Sequence, residues 1–309
     1  MNNLSEILDN NYPKLFNKQN EFNFDIQYEI TMACNNRCEY CYVLSELDNK
    51  EKINKKVFEE TIEKINKFKE EYPDYKLSVH LKGGDPLFVI DETLEFISRI
   101  YDEKIIITIF SNLSFNPNGE TIKKLYEFTK KYNICLICSV HESSNHKFVK
   151  RNLKLFNDIV NIHFVLDNKF VDFIYEYVNW ILKNLKRKSH IYSLGELRDT
   201  NLYEIKNIDF NNEKLKFILK NADKNEGSVI IDNKNFTFQE SFDLKLNEIS
   251  KKYFTLCKIN SFSIKYNGEI SALCGYPGNF KDLKPQEKFC NNYICKCDTD
   301  SFKKLLREK

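Results

Sequence analysis

The chain has 309 residues, 42% hydrophobic and 30% charged, and its 47 basic and 45 acidic side chains leave a formal charge of +2. Such a composition excludes a disordered or low-complexity chain, and the balance of charge speaks against a nucleic-acid or membrane surface as the main partner. The first twenty residues are polar, without the apolar core of a signal peptide, and no apolar run approaches a membrane span, so a cytoplasmic location is expected. In a reducing compartment ten cysteines point to metal or redox chemistry before disulfides.

After an N-terminal extension (residues 1–23), FDIQYEITM predicts a strand that ends at the cysteine-rich stretch CNNRCEYC. NKKVFEETIEKINKFKEEY has helical periodicity, KLSVHLK is a strand followed by GGDPL, and DETLEFISRIY is a helix with Asp91 as candidate N-cap. KIIITIF, ICLICSVH, NIHFVL and SHIYSL follow as strands, separated by the helices TIKKLYEFTKKY, HKFVKRNLKLF and VDFIYEYVNWILKNLK. Repeated β-α order predicts a parallel sheet with helices packed on it, and six units over residues 24–197 suit a partial (β/α)6 TIM-type barrel better than a complete eight-stranded one. Past residue 198 the pattern breaks. KLKFILKNA reads as a helix and SVIIDNKNFTFQE as a hairpin turning at Asp232–Lys234. FSIKYNGEISALC reads as a second hairpin turning at Asn267-Gly268, and SFKKLLREK as a closing helix. Residues 198–309 are therefore expected to form a small cysteine-rich α+β appendage.

Strands buried on both faces should be almost continuously apolar, yet these alternate. Leu77, Val79 and Leu81 oppose Ser78, His80 and Lys82. Ile26, Tyr28, Ile30 and Met32 oppose Gln27, Glu29 and Thr31. Ser139 and His141 share one face, as do His163 and Asp167. The apolar faces should meet the helices and the polar faces line a cavity that takes substrate, with His80, Lys82, His141 and His163 as candidate lining. A solvent-facing sheet, and histidines that are merely structural, would give the same pattern. Cys135 and Cys138, three apart on a strand, fall on opposite faces and should not share a metal; Cys138 reads as core and Cys135 as a candidate lining residue.

Cys34, Cys38 and Cys41 have the spacing C-x3-C-x2-C. Zinc would want a fourth ligand from elsewhere, and a redox C-x-x-C would leave Cys34 unexplained. An iron–sulfur cluster held by three thiolates keeps one iron open. The loop follows the first strand, and ligands of such sheets bind at the carboxyl ends of strands. CNNRCEYC, with Tyr40 as its aromatic, resembles the signature of the radical S-adenosylmethionine (SAM) superfamily. The resemblance implies a 4Fe-4S cluster on Cys34, Cys38 and Cys41 whose open iron chelates S-adenosylmethionine (AdoMet). Electron transfer from it would yield a 5′-deoxyadenosyl radical that abstracts a substrate hydrogen. Gly83-Gly84-Asp85-Pro86 resembles the superfamily's GGEP motif, which implies a role in holding the AdoMet ammonium, with Asp85 standing where Glu is usual; an ordinary Gly-Pro turn is the alternative. By the same resemblance Tyr40, Asn112 (beside Ser111) and Ser139 are candidate AdoMet contacts.

Five cysteines remain: Cys257, Cys274, Cys290, Cys295 and Cys297. Two flank a predicted hairpin and three sit in CNNYICKC. The arrangement resembles the SPASM or shortened twitch appendage of the superfamily, which implies a second, auxiliary 4Fe-4S cluster on four of the five; zinc is the alternative, because thiolate sites suit both. Members with such appendages modify ribosomally made peptides or dehydrogenate small polar molecules such as sugars or aminocyclitols. Peptide modification is the expectation here. About 23 residues precede the first strand, too few for a peptide-binding domain, so a separate recognition protein is a candidate partner. Flavodoxin or ferredoxin is a candidate electron donor. A non-enzymatic iron–sulfur electron carrier would explain the cysteines but not GGDP.

Overall fold

A computed structural model describes residues 23–41, 52–166, 168–185, 192–196, 211–221, 229–231, 234–236, 255–259, 261–272 and 280–290. Six strands with five intervening helices come in the expected order, and the helix read from KLKFILKNA follows the sixth strand. The strands are β1 (Asn23–Thr31), β2 (Lys76–Gly83), β3 (Ile106–Ser111), β4 (Ile134–Val140), β5 (Val160–Leu166) and β6 (Tyr192–Glu196). The helices are α1 (Lys55–Glu71), α2 (Ile90–Ile100), α3 (Glu120–Thr129), α4 (His146–Leu155), α5 (Val171–Asn184) and α6 (Glu213–Asn221). Then come β7 (Val229–Ile231), β8 (Lys234–Phe236), β9 (Thr255–Ile259), β10 (Ser261–Ile264), β11 (Ile270–Ala272) and β12 (Gln286–Cys290). No helix among the described residues is long and apolar enough to cross a membrane.

The main sheet runs β11-β10-β1-β2-β3-β4-β5-β6. Its pairings are parallel from β10 through β6, and only β11 is antiparallel, to β10. This is the expected partial barrel with one addition. The hairpin FSIKYNGEISALC is more than an appendage: β10 lies in parallel beside β1 and gives the sheet a seventh parallel strand. Aromatic packing explains the docking. Phe262 of β10 stacks on Phe24 of β1 at 5.3 Å, and Phe24 lies 4.1 Å from Phe68 of α1. All three rings are buried, each contributing about 1.5–3 kcal/mol. Gly268 makes the turn with φ +89°, a left-handed conformation that glycine adopts without a Cβ penalty. Hairpin β7–β8 forms with Ile231 opposite Lys234. β9 and β12 pair antiparallel as a separate two-stranded ribbon.

The alternation in the strands is a real division of faces. Leu77, Val79 and Leu81 are buried under the helices, while Ser78, His80 and Lys82 face the concave side and keep partial exposure. In β4, Leu136, Cys138 and Val140 are buried and Cys135, Ile137 and Ser139 are half-buried, so Cys138 is core and Cys135 lines the concave side. The helices answer with matching stripes. On α1, Val57, Phe58, Ile62, Ile65 and Phe68 recur at helical spacing and are buried. One capping expectation is corrected. α2 starts at Ile90 with Val89 at its N-cap position, and Asp91 lies inside the first turn, its carboxylate held by Lys124 at 2.6 Å. A 3-10 turn, Pro86–Val89, precedes the helix, and Asp85 caps that turn instead.

Candidate functional site

The CNNRCEYC loop leaves β1 at the carboxyl edge of the sheet. It is pinned from below by the end of β2. Gly84 N donates to Thr31 O (2.7 Å) and Asp85 N to Ala33 O (2.8 Å). The two glycines make this approach possible. A Cβ on Gly83, at φ +127°, would sit 2.1 Å from Thr31 O, and one on Gly84 would sit 2.2 Å from Ala33 O. Glycine here therefore serves strand-to-loop contact, a backbone close approach that no other residue permits.

Asp85 turns its carboxylate into the protein and away from solvent. Its carboxylate is buried and accepts from Leu87 N (2.9 Å), Ser111 Oγ (3.0 Å) and Asn112 N (2.8 Å). Burial pushes its pKa up to about 6, against the pull of those three donors. The shorter side chain thus ties β2 to the end of β3. There the backbone turns through Leu113 at φ +50°, a left-handed conformation costing a non-glycine residue about 1–2 kcal/mol. The turn aims Asn112 at the cysteine loop. Its Nδ2 donates to Asn35 Oδ1 (2.8 Å) and lies 3.8 Å from Cys34 Sγ, and its Oδ1 accepts from Ser114 N (2.7 Å).

The loop is held from above as well. Asn36 is buried and donates to Ser144 Oγ (3.0 Å), and Cys38 Sγ lies 3.4 Å from Ser143 Oγ. Tyr40 hydroxyl and His141 Nδ1 share a 2.7 Å hydrogen bond. Tyr40 also packs edge-on against Phe170, and Glu39 pairs with Lys169. Asn35, Asn36, Ser143 and Ser144 are residues that motif reading passes over as spacers, although the paired asparagines inside CNNRC were the available signal.

The three thiols share one neighbourhood. Cys34 is pushed up to about 12, first by burial, then by the Asp85 carboxylate and by the other two cysteines; Cys38 is raised mainly by burial. Sulfurs so placed need an external positive charge to stay as thiolates. Asn36 N donates to Cys34 Sγ at 3.4 Å, which favours the anionic sulfur. Among the described residues no three His, Cys, Asp or Glu side chains gather closely enough for a lone metal ion. Three thiols on one loop, with amide and hydroxyl neighbours, match the thiolate ligands of an iron–sulfur cluster.

The remaining candidates fall on the concave face. Ser139 is level with His163 across β4 and β5. Burial holds both His141 and His163 near pKa 4, the two reinforcing one another at His141, so both rings are neutral. His80 is lowered by burial and its Nδ1 is buried without a hydrogen-bond partner among the described residues; Lys82 is brought to about 8, mainly by burial. In the β9–β12 ribbon Cys257 is opposite Lys288 and Cys290 opposite Thr255. Asp167, Cys274, Cys295, Cys297, the turn at 232–233 and the closing helix lie outside the described residues.

Known proteins match this arrangement. Residues 28–165 match the profile of the Radical SAM superfamily. The radical SAM cyclopropyl synthase TigE of Paramaledivibacter caminithermalis is 24% identical over 303 residues, covering 87% of this chain; the chain spans 61% of that relative's length. Among solved structures, Streptococcus suis SuiB bound to S-adenosylmethionine superposes with a TM-score of 0.53 at 20% identity, over 86% of this chain and 63% of the other. Native anSMEcpe with bound AdoMet and the Cp18Cys peptide gives 0.50 at 16% identity, over 81% and 73%. At such identities the superpositions speak for the fold. The matched stretch, residues 28–165, carries the three cysteines, the GGDP segment and the concave histidines.

Proposed function

We propose that this chain is a radical SAM enzyme that cleaves AdoMet reductively and abstracts a hydrogen atom from a peptide. The observation that carries the proposal is the three-thiol loop, clamped between Gly83-Gly84 and the ends of β3 and β4, within the matched domain. Cys34, Cys38 and Cys41 would hold a 4Fe-4S cluster, which when bound supplies the electron and the open iron for AdoMet cleavage. The chain's own part is positioning. Asn36 and Asn112 direct N–H groups at Cys34 Sγ, and the backbone of Gly83 to Pro86 lies beside the loop where an AdoMet ammonium would need acceptors. Because the Asp85 carboxylate is engaged, carbonyl groups would fill that role. Tyr40, Asn112 and Ser139 are the proposed neighbours of the rest of AdoMet. His80, Lys82, His141 and His163 would line the space for substrate, where neutral imidazoles accept or donate hydrogen bonds without adding charge.

Cys257 and Cys290, two positions apart in the register of the paired strands β9 and β12, support an auxiliary iron–sulfur cluster completed from Cys274, Cys295 and Cys297. Four thiolates favour a closed, electron-transferring cluster, and the part of residues 198–309 other than β10 and β11, which join the sheet of the barrel, would form its twitch-like domain. A similar structure that holds a bound peptide supports a peptide substrate over a small polar molecule. An external donor such as flavodoxin or ferredoxin, a separate peptide-recognition protein and a cytoplasmic setting complete the proposal. The test is anaerobic reconstitution with iron and sulfide, then AdoMet and a strong reductant. 5′-Deoxyadenosine and methionine should form with the natural chain and not with Cys38→Ala. A fully loaded protein that forms neither product would refute the proposal.

A further inference from the structure

Two sulfurs of the cysteine loop are met by hydrogen-bonding groups of different kinds. Cys34 Sγ accepts from Asn36 N at 3.4 Å and lies 3.8 Å from Asn112 Nδ2. Both of those groups have other duties: the first is backbone, and the Asn112 amide also donates to Asn35 Oδ1 and accepts from Ser114 N. Cys38 Sγ is met at 3.4 Å by Ser143 Oγ, which comes from the turn between β4 and α4. That turn is fixed on both sides of Ser143. Ser144 N donates to His141 O (3.0 Å) and closes it, with Glu142 and Ser143 at the tip. His141 N donates to Ser144 Oγ (3.3 Å), and the same oxygen accepts from Asn36 Nδ2 (3.0 Å). Beyond the turn, Asn145 N donates to Ser114 Oγ (3.0 Å), and the Asn145 side chain caps α4 by accepting from Phe148 N (3.3 Å). These bonds shape the turn without using the Ser143 side chain. Ser143 is exposed, so packing does not demand a hydroxyl there. Among the described residues its hydroxyl meets one partner, Cys38 Sγ. A sulfur that binds iron is a thiolate and has no proton to give, so in the loaded protein the hydroxyl would be the donor and the sulfur the acceptor.

We infer that Ser143 is a redox-tuning residue, whose hydroxyl donates to the Cys38 thiolate and raises the reduction potential of the cluster held there. Reduction adds one electron to the cluster and so makes its sulfurs more negative. A hydrogen bond strengthens as its acceptor gains charge, which favours the reduced state, and hydrogen bonds to the sulfurs are among the factors that set such potentials. No bond forms or breaks at Ser143, and its proton stays on Oγ. The inference rests on the proposed function, because it takes Cys38 as a cluster ligand.

The test uses the full chain, loaded anaerobically with iron and sulfide and titrated with dithionite and mediator dyes in the absence of AdoMet. Electron paramagnetic resonance intensity is recorded against potential. The signal that the natural chain shows and Cys38→Ala lacks belongs to this cluster. In Ser143→Ala the ratio of reduced to oxidised cluster at a fixed potential should fall about three- to tenfold, which is about 30–60 mV for one electron. Ser143→Thr keeps the hydroxyl and should restore the natural potential, a rescue that a merely structural role would not produce. Iron content in both variants should match the natural chain. A potential that stays in place in Ser143→Ala, or that falls as far in Ser143→Thr, would overturn the inference. The titration needs no turnover, so the two readings fail separately. The expected shift in a protein that forms no 5′-deoxyadenosine would support the tuning and refute the proposed function. AdoMet cleavage with an unmoved potential would do the reverse.

Discussion

Gly84→Ala should damage this protein far more than a single methyl group suggests. The added Cβ would lie 2.2 Å from Ala33 O, 2.6 Å from Ala33 C and 2.8 Å from Met32 C, all backbone atoms. No rotamer change relieves such contacts, so the backbone entering the cysteine loop must retreat by about 1 Å, enough to forfeit much of each van der Waals well. That retreat breaks or stretches Gly84 N to Thr31 O and Asp85 N to Ala33 O. Two weakened backbone bonds plus overpacking amount to about 3–5 kcal/mol, a large share of a domain's stability of about 5–15 kcal/mol. Denaturant unfolding followed by tryptophan fluorescence measures the loss, and iron content after reconstitution reports on the loop. Gly119→Ala is the internal control. Its Cβ would meet Asn116 O at 3.1 Å, a clash of a few tenths of an ångström, so the loss should stay below about 1 kcal/mol. If Gly84→Ala unfolds within about 1 kcal/mol of the natural chain and takes up as much iron, the clamp does not have the role assigned to it.

Asp85→Ala orphans Leu87 N, Ser111 Oγ and Asn112 N and should cost about 3–5 kcal/mol by denaturant unfolding. Asp85→Glu, which restores the residue usual in the resembling motif, should still cost about 1–3 kcal/mol, because a fully enclosed carboxylate has no space for another methylene. Asn36→Ala removes the buried bond to Ser144 and should lower stability by about 1 kcal/mol and hasten iron loss to a chelator. His163 titrates near 4 in the folded chain, below the 6.5 of a free imidazole. Between these values the unfolded chain binds the proton that the folded chain refuses. Stability is therefore lost as pH falls through this window, by about 3 kcal/mol. His163→Gln should flatten that limb of the stability–pH curve, and an unchanged limb would contradict the burial argument.

The barrel was legible because period-two alternation and helical stripes agree in every unit from Phe24 to Tyr177. The seventh parallel strand was not legible. FSIKYNGEISALC announces a hairpin through Asn267-Gly268, but nothing local says that Phe262 will stack on Phe24, more than two hundred residues earlier. Asp91 misled for a similar reason. It has the chemistry of an N-cap, while Asp85 upstream had already capped the turn that leads into the helix. At the site, the cysteine spacing and the glycine pair are local signals and were readable. What the glycines do was less so, because their constraint comes from Thr31 and Ala33 on a neighbouring strand. Glu29 and Lys265 read as ordinary polar-face and hairpin residues, and only the register of β10 against β1 brings them together.

Spectroscopy of the reduced, cluster-loaded protein gives the most direct view of the open iron. To isolate the signal, Cys257 and Cys290 are replaced by alanine, and the electron paramagnetic resonance spectrum is recorded without and with AdoMet. The expected result is a shift of the reduced-cluster signal on addition of AdoMet, with the signal itself lost in Cys34→Ala, Cys38→Ala and Cys41→Ala. A cluster signal that depends on those three cysteines yet does not respond to AdoMet would contradict a vacant coordination position at the mouth of this barrel.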